Sequence, residues 1–177
     1  MKKKLFYGRV KSRKLSDIKI KFIKRYLRDY KLQEKIFNTK KKIVIEIGFG
    51  IAENIIDIAT KNKRNILIGI DPFKNGLSNI ARKVYENKIN NIFVYPFVFE
   101  KFTNKFKKFF FNELYILFPD PWPKKKHNKR RLFNEKFLKS ILIKGKMGSK
   151  IYFRTDNIDY FFQVKNLLRN EKKKIIN

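Results

Sequence analysis

Cysteine is absent and histidine occurs once in the 177 residues, which excludes a disulfide framework, a thiolate zinc site, a cysteine nucleophile and a histidine-rich metal centre. No metal is expected. No stretch approaches the roughly 18 consecutive apolar residues of a membrane span. The basic start is followed only by Leu5, Phe6 and Tyr7 before Gly8, too short for the apolar core of a signal peptide. A soluble cytoplasmic protein with no membrane partner is expected. Acidic residues are few, 15 against 45 Lys and Arg, and alanine occurs only at Ala52, Ala59 and Ala81. A chain poor in Ala and rich in Lys, Asn and Ile is what an A+T-rich genome encodes, so part of the formal charge of +30 is codon bias.

What is present points to a folded chain. Hydrophobic residues make up 43% and phenylalanine alone occurs 19 times, enough for a single core in a chain of this length. The charge is unevenly placed. Residues 1 to 42 hold 17 basic against 3 acidic residues, residues 43 to 100 hold 7 against 6, and residues 101 to 177 hold 21 against 6. A uniform coding bias would not spare the middle third, so basic surfaces are expected to flank a neutral site.

Two regions follow from this. Residues 1 to 42 read as a basic arm and a helix from about Asp17 to Lys31, with Ile18, Phe22, Ile23, Tyr26, Leu27 and Tyr30 at helical spacing. From residue 43 to 177, apolar β-branched runs at 43–47, 66–70, 91–95, 113–118 and 150–154 alternate with helical stretches at 53–60, 76–86, 134–143 and 158–168. Continuous apolar runs suit a parallel sheet covered on both faces. The expected fold is therefore α/β, a Rossmann-like doubly wound, mostly parallel sheet, whose ligands bind outside the carboxyl ends of the strands.

Those strand ends carry the chemistry. Glu46-Ile47-Gly48-Phe49-Gly50 is a glycine turn opening a helix, where Gly48 and Gly50 allow a tight bend and close approach of a ligand. Asp71 ends the second strand at the distance of an acid that accepts hydrogen bonds from ribose hydroxyls. Glu53 stands where a dinucleotide site wants a small residue, and it would repel a pyrophosphate, so S-adenosylmethionine suits the site better than NAD. The fourth run leads into Phe118-Pro119-Asp120-Pro121-Trp122-Pro123, stiffened by alternating prolines, and then into the basic tract 124–131. A rigid acid and aromatic continuing into a basic tract fit a nucleobase site beside a phosphate backbone. His127 within the tract reads as a bystander. Asp156, after the fifth run, reads either as a helix N-cap or as a substrate-binding acid.

Taken together, GRVKSR at 8–13, EIGFG at 46–50, IGIDPF at 68–73, FPDPWPKKKHNKRR at 118–131 and TDNIDY at 155–160 resemble the bacterial tRNA (guanine-N7)-methyltransferase family. The resemblance implies a class I S-adenosylmethionine-dependent fold, with tRNA as partner and a monomer or weak homodimer. It implies that Glu46, Gly48, Gly50, Asp71 and Asp120 bind the cofactor, that Asp120 also lies at the reaction centre, and that Lys124 and Asp156 contact the guanosine. Lys124, Arg130, Arg131 and the N-terminal arm are expected to take phosphates. Ala52 replaces the family's third glycine, and 95–98 offers no acid after the third strand, which leaves adenine to backbone groups. The family pattern also continues into two further strands with a threonine and glutamate motif, so the expectation for a chain ending at Asn177 is a sheet without its last two strands and a weakened guanine site. A methyltransferase of another RNA or of protein, and a non-enzymatic RNA-binding protein, are the alternatives.

Overall fold

The computed structural model describes residues 15–176, so the basic arm and the GRVKSR segment lie outside the described residues. Five strands, β1 (Ile43–Ile47), β2 (Ile66–Ile70), β3 (Ile92–Tyr95), β4 (Phe111–Leu117) and β5 (Gly145–Arg154), form one sheet in the order β3-β2-β1-β4-β5. Every pairing is parallel. The expected doubly wound topology is present, and the order reverses between β1 and β4.

Alternation along β1 shows how the sheet is covered. Ile43, Ile45 and Ile47 face one core with Leu114 and Ile116 of β4, while Val44 faces the other with Leu67 and Val94. The second core is closed by α1 (Asp17–Asp29), α2 (Glu53–Lys61) and α3 (Lys74–Glu86), which contribute Tyr26, Ile55, Ala59, Leu77, Ile80 and Val84. Tyr26 is fully buried and its hydroxyl donates to the carbonyl of Ile92, so α1 is tied to the sheet. The first core is closed by α4 (Phe99–Lys105), α5 (Glu135–Leu142) and α6 (Ile158–Ile176), with a 3-10 turn at Glu34–Phe37. It is largely aromatic: Phe37, Phe99, Phe102, Phe106, Phe109, Phe133 and Phe137 pack ring against ring. Offset and edge contacts of this kind add to the area each ring buries.

The strands stand where the apolar runs put them, with β4 starting two residues early at Phe111 and β5 extended further. β5 begins at Gly145 instead of residue 150, and its first half is irregular, with a register shift against β4 and a left-handed Gly148. Three elements were not foreseen, α4 and the 3-10 helices at Glu34–Phe37 and Lys125–Arg130. α4 is seven residues long, too short for a convincing window, although Phe99 and Phe102 mark its buried face.

Candidate functional site

Strand register brings the sequence motifs to one edge. Ile47 pairs with Ile70, Ile70 with Tyr95, and Leu117 with Arg154. The Gly48 N–H donates to the Ile70 carbonyl and the Phe118 N–H to the Arg154 carbonyl, so the turns after β1, β2, β4 and β5 leave the sheet at a common level. Asp120 and Asp156 therefore each follow their strand end by a few residues on adjacent strands, and the crevice of the β1/β4 reversal lies between the glycine turn and the Asp120 loop.

The glycine turn is built by close packing. Gly48 and Gly50 have φ of 76° and 52°, and Ala52 follows at 71°, a left-handed conformation that costs a residue with a Cβ about 1–2 kcal/mol. Phe49 is inserted beneath the turn. A Cβ on Gly69 of β2 would lie 2.8 Å from its ring, and a Cβ on Gly76 of α3 would lie 1.8 Å from the Gly50 carbonyl oxygen. Sequence reading singled out Gly48 and Gly50 and missed Gly69 and Gly76, which make room for them.

Glu46 and Asp71 are both buried at this turn, 4% and 7% exposed. Glu46 accepts from Asn54 Nδ2 at 3.0 Å. Asp71 accepts from the Gly50 N–H and the Phe73 N–H, each at 2.9 Å, using one bond per carboxylate oxygen, so each oxygen keeps acceptor capacity for a hydroxyl. Burial pushes the Glu46 carboxyl up to about 7, the Asn54 hydrogen bond opposes this, and the nearby Asp71 adds to it. Burial also raises Asp71 against the pull of its two N–H donors, and the charge of Asp120 raises it further. Two buried acids whose ionised forms are disfavoured, with a third carboxylate near Asp71, suit a cationic ligand and would oppose a pyrophosphate, the discrimination that Glu53, exposed in the first turn of α2, also makes. This donor set fits the sulfonium and ammonium groups of S-adenosylmethionine. Past β3, the aromatic ring of Phe97 is 47% exposed, so the strand end that lacks an acid carries an apolar face that sequence reading overlooked.

The Asp120 loop is strained. Phe118 and Trp122 have φ of 48° and 46°, and each precedes a proline that restricts it further. Bulky residues in the left-handed region cost on the order of 1–3 kcal/mol each and persist only where the surroundings over-determine them. Asp120 is exposed between them. The basic tract folds back as the 3-10 helix at Lys125–Arg130, placing the Arg130 guanidinium 5.0 Å from the centroid of Trp122 and the His127 ring 5.9 Å from it, edge-on. Lys124, Lys125, Lys126 and Lys129 are exposed. Desolvation and the cations Arg130, Lys126, Lys124 and Lys129 hold His127 below the ordinary imidazole range.

Two sequence expectations are sharpened. Asn157, not Asp156, caps α6, its Oδ1 accepting from the Tyr160 N–H at 2.9 Å, which leaves the exposed Asp156 outside the cap. Arg131 is corrected. At 2% exposure, with Nε donating to the Pro121 carbonyl, it is an interior residue and does not stand with the exposed cations of the tract, where a phosphate contact was expected of it. Among the described residues no group of three or more His, Cys, Asp or Glu side chains is placed to hold a metal, and no helix is long and apolar enough to cross a membrane.

Comparison with known proteins agrees with this geometry. A family described as "Putative methyltransferase" matches residues 40–176. The chain is 36% identical over 146 residues to a bifunctional methyltransferase of Rickettsia conorii, a match covering 82% of this chain and 28% of that protein. It is 30% identical over 158 residues to the tRNA (guanine-N(7)-)-methyltransferase of Neorickettsia sennetsu, covering 89% of this chain and 71% of the relative. The chain thus spans under a third of the first relative's length. In fold it is similar to the precorrin-6y C5,15-methyltransferase of Geobacter metallireducens, with a TM-score of 0.57 and 11% identity over 90% of this chain and 74% of that one.

Proposed function

Because the chain belongs to this methyltransferase family, we propose that it transfers a methyl group from S-adenosylmethionine to N7 of a guanosine in tRNA. The observation that carries the reading is the convergence of an acidic nucleoside site, formed by Glu46, Asp71 and the glycine turn, with the rigid Asp120-Pro121-Trp122 loop that runs straight into a basic tract. When bound, S-adenosylmethionine supplies an electrophilic methyl group on a cationic sulfur.

The residues divide the work. Asp71 accepts from the ribose hydroxyls with the lone pairs its backbone donors leave, Glu46 holds the cofactor's cationic end, Gly48 and Gly50 let it approach the backbone of the turn, and Phe97 offers its face to adenine. Guanine N7 has an in-plane lone pair and no proton, so no general base is required and positioning dominates. Asp120 stabilises positive charge at the reaction centre, and with Asp156 it accepts from the N1 and N2 hydrogens that distinguish guanine from adenine. Lys124 and Arg130, with their lysine neighbours, take backbone phosphates. The substrate contributes one side of the site and the cofactor the other, across the β1/β4 crevice.

The test is incubation of the purified protein with unmodified tRNA and S-adenosylmethionine, followed by mass mapping of nucleosides. 7-Methylguanosine at one position is the expected product. Another methylated nucleoside would reassign the substrate. Cofactor binding without methylation of any tRNA would remove tRNA from the proposal, and absence of cofactor binding would leave a plain RNA binder.

A further inference from the structure

The Asp120 loop owes its shape to a cation that points inward. Arg131 Nε donates to the Pro121 carbonyl at 2.6 Å and Nη1 to Oε1 of Gln163 on α6 at 2.7 Å. Its guanidinium carbon stands 4.8 Å from the centroid of the Tyr160 ring. The far side of this network is anchored in turn: the Tyr160 hydroxyl accepts from the Phe133 N–H at 2.8 Å, and Gln163 Nε2 donates to the Phe133 carbonyl at 3.2 Å. Burying a guanidinium is costly unless its donors are met, and here two oxygen acceptors and an aromatic face meet it. So expensive an arrangement is placed on one particular carbonyl. Pro121 O belongs to the peptide that joins Pro121, the residue after Asp120, to the left-handed Trp122.

We propose that Arg131 is a positioning residue, which fixes Asp120 by clamping the Pro121 carbonyl to α6 and so holds the loop in its left-handed turn, without touching substrate or cofactor. The inference rests on the reading of Asp120 as a group at the reaction centre. A lysine cannot replace it, because a single ammonium on a flexible stem does not present the planar fork that reaches Pro121 and Gln163 together. The role differs in kind from the phosphate contact expected of a basic tract. A phosphate contact acts on RNA affinity, whereas a clamp on the loop acts on turnover.

Trp122 is the chain's single tryptophan, so its fluorescence reports the loop independently of catalysis. The experiment compares the wild-type protein with Arg131→Lys and Gln163→Met by acrylamide quenching of Trp122, by steady-state methylation of unmodified tRNA, and by tRNA binding across a salt series. For Arg131→Lys, quenching rises, kcat falls about 10²-fold, as small misplacements of catalytic groups do, and KM for tRNA and the salt slope stay at wild-type values. Gln163→Met moves the same quantities in the same direction by less, and it stands in if Arg131→Lys fails to fold. A salt slope reduced by about one with unchanged quenching would assign Arg131 to a phosphate and overturn the proposal. Unchanged quenching and kcat in both variants would overturn it too. If the wild-type protein methylates no tRNA, the functional reading fails, while the quenching comparison still decides whether Arg131 holds the loop.

Discussion

Glu46→Gln asks whether the sheet edge is built to receive positive charge. The carboxyl is 4% exposed, and burial first, with Asp71 adding to it against the Asn54 hydrogen bond, lifts its pKa from an ordinary 4.5 to about 7. Between those values the folded chain holds a proton that the unfolded chain has released. The contribution of Glu46 is therefore fully favourable below about pH 4.5, declines as pH rises, and is lost above about 7. At about 1.4 kcal/mol per pH unit, the loss across the window is about 3 kcal/mol. Glutamine keeps the shape of the neutral acid and an oxygen for Asn54. The variant should match the wild-type protein near pH 5 and exceed it by about 3 kcal/mol at pH 8, a rise in Tm of roughly 6–12 °C for a domain of this size. Thermal unfolding of both ligand-free proteins from pH 5 to 8 at fixed ionic strength measures it. The same argument links to the cofactor: a cation bound beside Glu46 favours its ionised form, so near pH 6 wild-type binding releases a proton and binding by the variant does not. Calorimetry in two buffers of different ionisation enthalpy reads that difference. A stability gap that does not change with pH, or a variant less stable at pH 8, would show that the fold stabilises the Glu46 charge and would refute the reasoning.

Four further outcomes follow from the same geometry. Asp71→Ala removes the acceptor proposed for the ribose and the partner of the Gly50 and Phe73 N–H groups, so titration calorimetry should show cofactor binding weakened by about 1–3 kcal/mol. Asp120→Asn keeps the loop's shape and removes its charge, and single-turnover kinetics should show slower methyl transfer with tRNA affinity unchanged. Gly76→Ala drives a Cβ into the Gly50 carbonyl, which chemical denaturation should register as about 1–3 kcal/mol of lost stability, together with weaker cofactor binding. Ala52→Gly relieves a left-handed alanine and should stabilise the protein by up to about 1 kcal/mol, less the entropy that glycine brings to the unfolded chain.

The positions of the strands were legible because parallel strands buried on both faces read as near-continuous apolar runs, and IVIEI and ILIGI break theirs only at Glu46 and Gly69. The acids were legible because each lies at the carboxyl end of such a run, Glu46 within β1, Asp71 directly after β2, and Asp120 and Asp156 a few residues after β4 and β5. What escaped was whatever depends on a partner distant in sequence. Asn54 gains its meaning from Glu46, Gly69 and Gly76 from the ring of Phe49, and Phe97 from the missing acid at its own strand end. Arg131 shows the limit most sharply. In sequence it is one more cation in a tract of cations, indistinguishable from Arg130, yet Asn128 closes the 3-10 helix with its carbonyl on the Arg131 N–H, and the chain then turns inward at Phe133. That backbone turn sends one guanidinium to Trp122 and the next to Pro121 and Gln163.

The formal charge of +30 is consistent with this division of labour. Four exposed lysines and the half-buried Arg130 crowd the tract at 124–130, where the proposed contact with an anionic backbone would be screened by salt, while Glu46 and Asp71 sit beneath the surface at the sheet edge. A long-range field of positive sign would draw the proposed RNA substrate toward the molecule as a whole. Within a few ångströms of the glycine turn, however, the local acids outweigh that field, because burial reduces their screening and they lie at contact distance from any ligand in the crevice. On the proposed function, a cationic nucleoside and an anionic polymer would be held side by side without either binding in the other's place, with the strained Asp120 loop, an exposed acid leading into a basic tract, as the join between the two surfaces.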